Sequence, residues 1–466
     1  MHLSITQGQN FINKIKETSD VLSQDDSLTL DKLVQDWKSL QFDSGSVVLL
    51  LFSNSKTFLK NILAVLLAGY VPALIAPSTP LGRVNAIATS FNAKAIIKPK
   101  LFVSQLENFH MLTKIDGHDV VILNNSSDRL TNPGEIILTT SGTSGFSTGC
   151  VFDFISLVKN AEKHAEVIGL KHEDVVLVNL PLFYSYAFVA QALASYVKGA
   201  SLIISSPPFN YLRYLHDIEK YAVTISSVTP LLIKDFLSHS VEYPVCLRAI
   251  TVGGDTLDPK YIKALLAELF EKKLYITYGI TEAGPRVATL AAHAEPIQKL
   301  SSVGKLLPGT VARLDTNGYS NNKGELLIYS DTLVKKRLGQ ATKPLFVTID
   351  GVSWLKTGDI FSIDADGYLF YHSRISDFII LNGEKVNLAD IKKMVALQFG
   401  ALSTKITLVK GPEGLIGYDL DIIVKNIADK NLESIKRDIR NNLKLYERPR
   451  NIEVTMPNSN DIERYK

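Results

Sequence analysis

The stretch that decides the reading is Glu135-Ile136-Ile137-Leu138-Thr139-Thr140-Ser141-Gly142-Thr143-Ser144-Gly145-Phe146-Ser147-Thr148-Gly149. Glu135 to Leu138 is a short apolar run and reads as a strand. Three glycines set among hydroxyl residues follow it. Small residues let backbone N–H groups approach an anion, and hydroxyls add donors, so the segment suits a phosphate cradle. The plainer reading is a solvated Ser/Thr loop. A Walker A loop needs Gly-Lys-Ser/Thr, and this segment has no lysine. Gly145 to Gly149 also fits G-x-S-x-G, the nucleophile elbow of serine hydrolases, with Ser147 as nucleophile. An elbow needs a strand running into the serine, whereas the residues before Ser147 already read as loop.

Outward from this segment, β-branched runs alternate with helical patterns. Val47 to Phe52, Ala95 to Ile97, Val120 to Leu123, Val175 to Leu180, Ser201 to Ile204, Ile225 to Val228 and Ala249 to Val252 read as strands. Phe58 to Leu67, Ile155 to Ile168 and Pro259 to Phe270 read as helices. The alternation predicts an α/β fold: a large N-terminal domain of parallel, helix-layered sheets. From about residue 303 the texture turns to short strands and turns at Gly309, Gly318, Gly324, Gly351 and Gly367, a β-rich section. Beyond Arg374, new strands and the helices Ala389 to Phe399 and Asn431 to Leu443 predict a small α+β C-terminal domain. The expected boundaries are 1–375 and 376–466.

The 466 residues exceed one ordinary domain, and 46% hydrophobic with 21% charged residues excludes a disordered chain. Fifty Lys+Arg against 47 Asp+Glu leave +3, which gives no case for nucleic acid or a membrane surface. Two cysteines, Cys150 and Cys246, exclude a disulfide scaffold. Mean hydropathy is slightly positive at +0.11. Asn61 to Gly82 and Val175 to Val197 are uncharged and long enough to span a bilayer. Gly69, Pro72, Pro77, Pro80 and Pro181 interrupt them, which predicts buried helix–turn–strand units and no membrane span. The first residues lack an apolar signal region, so a cytoplasmic location is expected.

Further segments follow the glycine-rich loop in a telling order. They are Gly253-Gly254-Asp255-Thr256-Leu257, Tyr278-Gly279-Ile280-Thr281-Glu282, Lys356-Thr357-Gly358-Asp359 and Ser373-Arg374-Ile375-Ser376-Asp377 with Asn382-Gly383-Glu384-Lys385-Val386. With Thr140 to Gly145, this series resembles the adenylate-forming superfamily: acyl-CoA synthetases, aryl-acid ligases and adenylation domains of peptide synthetases. Leu28 to Leu33 and Leu63 to Gly69 also resemble family landmarks, so the resemblance covers about residues 25 to 460.

The resemblance implies activation of a carboxylic acid by ATP, with Mg²⁺, as an acyl-adenylate, then transfer to a thiol of CoA or a carrier protein. It places Thr140, Ser141, Gly142, Thr143, Ser144 and Gly145 around the β- and γ-phosphates. Thr281 would hydrogen-bond the α-phosphate, and Glu282 would hold Mg²⁺. Tyr278 and Gly279 would border the adenine, with Gly254 and Asp255 beside the nucleotide. Asp359 would accept from the ribose hydroxyls and Arg374 would donate to the ribose. Gly253 and the loop carrying Tyr184, Tyr186 and Phe188 would build the acyl pocket. That loop has no aspartate for a substrate ammonium, and an unpaired ammonium in an apolar pocket is costly, so an aryl, fatty or other non-amino acid is expected. Arg286, after Ala283-Gly284-Pro285, could contact a polar substituent of the acid, but the plainer reading is a surface arginine. Ser376 falls at the family's hinge, about which the C-terminal domain rotates to admit the thiol.

The chain also departs from the family pattern. Ser147 stands where proline is usual and Thr148 where lysine is usual. Near the end, Asp461 stands at the position of the catalytic lysine, and Lys466 is the one lysine nearby. Loss of a cation aimed at the transition state typically costs on the order of 10²–10³ in rate. A non-adenylating or partner-dependent acyl-binding relative is therefore the alternative to the ligase, with the Ser147 hydrolase behind both.

Overall fold

The computed structural model describes residues 3–18, 29–99, 109–125, 128–140, 148–205, 211–239, 241–317, 319, 322–339, 344–375, 378–381, 384–411, 414–424, 432–443 and 445–456. The chain falls into two compact units, interleaved in sequence. One comprises Met1–Arg313, Leu327–Thr357 and Ile363–Phe370; the other comprises Leu314–Leu326, Gly358–Ser362 and Tyr371–Lys466.

The first unit holds two eight-stranded sheets. In one, the order is Ile15–Glu17, Ser201–Ile204, Val175–Val178, Ile225–Val228, Ala249–Val252, Lys273–Gly279, Arg286–Ala291, Lys305–Leu306. The first six strands run parallel and the last two are antiparallel additions. Ile225–Val228 and Ala249–Val252 are buried at every position, as parallel strands covered on both faces must be. Leu177, Ile203, Val228, Phe236, Ile250, Leu265 and Leu274 fill one core cluster around this sheet.

The second sheet centres on Val47–Leu50, with Val71–Leu74 on one side and Ala93–Lys98 on the other, all parallel. Ser55 caps the crossover helix Lys56–Leu67 by accepting from the Phe58 N–H at 3.1 Å. Glu135–Thr140 runs parallel to Val71–Leu74, and Thr148–Asp153 returns antiparallel beside it. Ser147 itself lies outside the described residues. The described residues on either side of it are two antiparallel strands, Glu135–Thr140 and Thr148–Asp153, whereas a nucleophile elbow requires a helix after the serine.

The uncharged stretches resolve as expected: Lys56–Leu67 is helix and Val71–Leu74 strand. After Val175–Val178, a π-helical turn, Ala187–Leu193, runs into the helix Ala194–Lys198. Among the described residues no helix is long and apolar enough to cross a membrane. The β-rich section is present, and within it Phe346–Ile349 pairs antiparallel with Val352–Ile363.

The second unit carries its own core. Ala401–Gly411 and Gly414–Val424 form an antiparallel pair, and Ile452–Thr455 joins in parallel. The helices Leu388–Phe399 and Leu432–Asn441 contribute Ile391, Val395, Ile435 and Ile439, buried with Tyr418, Leu420 and Val454. Ile435 and Ile439 lie four apart, one face of a helix.

At the amino ends of three neighbouring strands of the first sheet sits one buried carboxylate. Asp174 precedes Val175–Val178 and is 3% exposed. It accepts from Thr224 Oγ1 at 2.7 Å, Arg248 Nε at 2.8 Å and the Lys171 N–H at 2.7 Å. Burial alone would raise its pKa, but Arg248 and these donors outweigh it and hold the carboxyl below the usual carboxylate range. A carboxyl depressed in the folded state contributes stability that is full above its unfolded pKa, about 3.9, and is lost as pH falls through the folded value. Arg248→Leu is therefore expected to cost about 3 kcal/mol at neutral pH in urea unfolding, since it strands a buried charge. The penalty should shrink as pH falls to 4 and Asp174 protonates; an equal penalty at both pH values contradicts the assignment.

Candidate active site

In an open parallel sheet, ligands sit at the carboxyl ends of the strands, where the order reverses. Here the reversal falls at Val175–Val178, whose neighbours are Ser201–Ile204 and Ile225–Val228. The loop leaving that end is Asn179 to Tyr186. Gly253 leaves the carboxyl end of Ala249–Val252, and Thr281 follows Lys273–Gly279. The topology thus gathers, at one end of one sheet, side chains about a hundred residues apart in sequence.

Asn54 fixes the loop from the second sheet. Its Oδ1 accepts from the Leu182 N–H at 2.7 Å and its Nδ2 donates to the Leu180 carbonyl at 2.8 Å. Ser185 Oγ lies 2.9 Å from Thr281 Oγ1, so the loop read as acyl-binding and the segment read as α-phosphate-binding are joined directly. Tyr186 Oη bonds Thr251 Oγ1 at 3.1 Å, and Thr251 donates to Ser227 at 2.8 Å. Tyr184 is half-exposed and packs on Phe183 at 4.6 Å between ring centroids. Phe188 is turned fully into the core on the π-helical turn.

Two glycines permit a close approach. A Cβ on Gly253 would meet Thr277 Oγ1 at 2.5 Å and the Tyr186 ring at 3.1 Å. A Cβ on Gly279 would lie 2.4 Å from the Arg286 guanidinium and collide with the Pro285 carbonyl. Tyr278 is half-buried at the bulge where Lys273–Gly279 pairs with Arg286–Ala291. Gly254 takes a φ of +93°, and Asp255 is exposed, accepting from the Thr256 N–H at 2.7 Å.

Arg286 is not a surface residue. It is 3% exposed. Asn160 holds its backbone on both sides, accepting from the Arg286 N–H and donating to its carbonyl, each at 2.9 Å. The guanidinium donates to Thr277 Oγ1 at 2.8 Å and lies 4.4 Å from the Tyr186 ring centroid. Tertiary packing of the antiparallel strand overrides the turn that precedes it in sequence.

Glu282 accepts from Arg337 Nη2 at 2.8 Å, a half-buried ion pair. Arg337 lies opposite Cys150 in the pairing of Lys336–Leu338 with Thr148–Asp153. Thr148 and Thr140 are likewise opposite one another, so Arg337 shares a sheet face with both threonines. Sequence reading passed over Arg337 because Lys335-Lys336-Arg337 reads as a solvated charge run. Burial pushes the Cys150 thiol far up, with the Glu282 charge adding, so this cysteine is inert rather than nucleophilic.

Among the described residues no cluster of three or more His, Cys, Asp or Glu could hold a metal alone. Mg²⁺ needs no such cluster where one carboxylate acts with substrate phosphates. Glu282 fits that role: Arg337 engages one carboxylate oxygen, and no partner of the other is recorded among the described residues.

In the second unit, Asp359 is 2% exposed and pairs with Arg374 Nε at 2.7 Å. Gly358 precedes it at φ +71°, its N–H donating to Glu325 at 3.0 Å. The two residues read as ribose-binding are thus in contact. Ser141, Gly142, Thr143, Ser144, Gly145, Ser376, Asp461 and Lys466 lie outside the described residues.

Two mixed eight-stranded sheets with parallel centres, together with a small α+β unit, fit an adenylate-forming architecture. The family model described as AMP-binding enzyme matches residues 38–336, and the chain belongs to that family. It is 26% identical over 385 residues to 4-coumarate-CoA ligase 1 of Narcissus pseudonarcissus, covering 75% of this chain and 70% of the relative. It is 27% identical over 370 residues to a 2-succinylbenzoate–CoA ligase of Bacillus licheniformis, covering 77% and 75%. Its fold is that of o-succinylbenzoate CoA synthetase from Bacillus subtilis, solved with an acyl-adenylate intermediate: TM-score 0.76, 17% identity, 96% of this chain and 94% of that one. The amide bond synthetase McbA from Marinactinospora thermotolerans shares the fold at TM-score 0.72 and 18% identity, covering 99% of both chains.

Gly279→Ala tests the close approach behind Arg286. The added methyl meets fixed backbone, so a loss of about 1–3 kcal/mol is expected in urea unfolding. An unchanged midpoint contradicts the packing.

Proposed function

We propose that the chain activates a non-amino carboxylic acid with ATP and transfers the acyl group to the thiol of CoA. The observation that carries this is the Ser185–Thr281 contact at 2.9 Å, which joins the acyl loop to the phosphate-binding segment at the ligand end of the sheet. The family match and the CoA-ligase relatives support it.

In the proposed first step, a carboxylate oxygen forms a bond to the α-phosphorus. The bond from that phosphorus to the bridging oxygen breaks, and pyrophosphate leaves with the electron pair. The protein's part is to hold two anions in line and to stabilise charge on the phosphoryl oxygens. Thr281, oriented by Ser185, donates to an α-phosphate oxygen. Glu282 holds Mg²⁺, which when bound neutralises charge on the phosphates. Arg337 stands beside Glu282 and aims it. Asp359 accepts from the ribose hydroxyls and Arg374 donates to the ribose. In the second step the thiolate attacks the acyl carbon and AMP leaves.

Carboxylate-dependent ATP–pyrophosphate exchange across aryl, fatty and dicarboxylic acids tests the reading. Exchange with at least one acid is expected. No exchange with any acid, and no ATP binding by calorimetry, leaves a non-adenylating acyl-binding relative instead. Glu282→Gln should lower exchange by about 10²-fold without lowering the melting temperature, because the side chain keeps its shape. Unchanged exchange removes Glu282 from the metal.

A further inference from the structure

Among the described residues, Arg286 is a charge with no counter-ion. It is 3% exposed, and Arg stays protonated in proteins. Among the described residues no carboxylate lies within ion-pair distance, and its Nε has no hydrogen-bond partner. Its one side-chain acceptor is the Thr277 hydroxyl, and Tyr186 offers a ring face. His164 gives no relief: it is buried with both ring nitrogens unpartnered, and burial with the Arg286 charge pushes it down to about 3, so it is neutral at pH 7. The buried carboxylates of this unit are paired, Asp174 with Arg248, Glu135 with Lys335 and Asp217 with Arg213.

An uncompensated buried cation is among the most destabilising features a fold can carry. Such costs persist where function requires them. The cation lies against Gly253, Tyr186 and Gly279, the residues read as bordering the acyl and nucleotide positions. Both glycines are places where a side chain would fill the space beside Thr277 and the guanidinium.

We propose that Arg286 is the specificity-determining residue for a substrate carrying a second anionic group, so that the acid activated is a dicarboxylate rather than a simple aryl or fatty acid. The inference rests on the acid-activating reading above and deepens it. One carboxylate is consumed in the adenylate, while the other stays ionised and supplies the missing counter-ion to the guanidinium. Tyr186 packs against the guanidinium plane and Thr277 fixes its rotation, leaving Nε and the second terminal nitrogen for the ligand. A site that hydrogen-bonds a charged group rejects the analogue lacking it, because its own buried donors are then stranded.

The test pairs each diacid with its mono-amide, which keeps shape and removes the second charge. The probes are isophthalate, terephthalate and the straight-chain diacids from succinate to sebacate. Two readouts are taken on the full chain: ATP–pyrophosphate exchange, and the shift in melting temperature caused by each probe without ATP. At least one diacid is expected to exceed its mono-amide by about 10²-fold in kcat/KM, and to raise the melting temperature. Arg286→Met should bring that ratio near one and abolish the thermal shift, while Arg286→Lys keeps part of both. Free of ligand, Arg286→Met should melt higher than the parent chain, because a stranded charge has been removed.

A lower melting temperature for ligand-free Arg286→Met makes the arginine part of the scaffold and overturns the inference. So does equal use of diacids and mono-amides, or a preference that survives in both Arg286 variants; exchange itself then persists and the acid-activating reading stands. A thermal shift that depends on Arg286 without any exchange has the opposite meaning: the diacid site stands and adenylation falls. No thermal shift with any probe overturns the inference.

Discussion

Asp174 takes hydrogen bonds from Thr224 and Arg248, the residues that open the two strands beyond its own. Three parallel strands are thereby held level at their amino ends. Parallel strands of similar length that start level also end level. The loops after Val178 and Val252 therefore leave the sheet at the same end, which brings Gly253 against Tyr186; Thr281, after the longer neighbouring strand Lys273–Gly279, meets Ser185 there. The chemistry at one end of the sheet depends on a buried ion pair at the other.

The ligand end differs in its electrostatics. At the amino end, charge is neutralised pairwise: Asp174 with Arg248 on one sheet, Glu135 with Lys335 on the other. Toward the carboxyl ends, Glu282 has Arg337, but among the described residues Arg286 has no carboxylate. A buried cation without a counter-ion at the ligand end of a sheet is the kind of perturbed charge that marks a candidate anion site. Thr148 stands where the family pattern has lysine, and Arg337 lies on the same sheet face; in the proposed reaction that arginine would help to balance phosphate charge.

The strands were legible because β-branched runs such as Val47 to Leu50 and Ile225 to Val228 are buried on both faces, and continuous apolar runs are their signature. The motifs placed Thr281, Glu282 and Gly253 at element ends, where turn chemistry is visible in sequence; Asp359 lies within the strand Val352–Ile363. Arg286 was misread because Gly284 and Pro285 before it signal a turn. The informative signal lay after it: Val287 to Leu290 continues a buried strand, Arg286–Ala291, whose first residue, Arg286 itself, pairs across the sheet with Gly279. Arg337 and Asp174 were invisible for a different reason. Each acts through a partner distant in sequence, Glu282 and Arg248, and single-residue patterns carry no such information.

The central claim is that a carboxylate oxygen attacks the α-phosphorus of ATP. Turnover of an ¹⁸O-labelled carboxylic acid with ATP, Mg²⁺ and CoA, followed by mass spectrometry of the nucleotide product, reads that bond directly. The account predicts AMP carrying one ¹⁸O from the acid, because the oxygen that bridges acyl carbon and phosphorus leaves with AMP when the thiol attacks. Unlabelled AMP, or ADP as the nucleotide product, would contradict it.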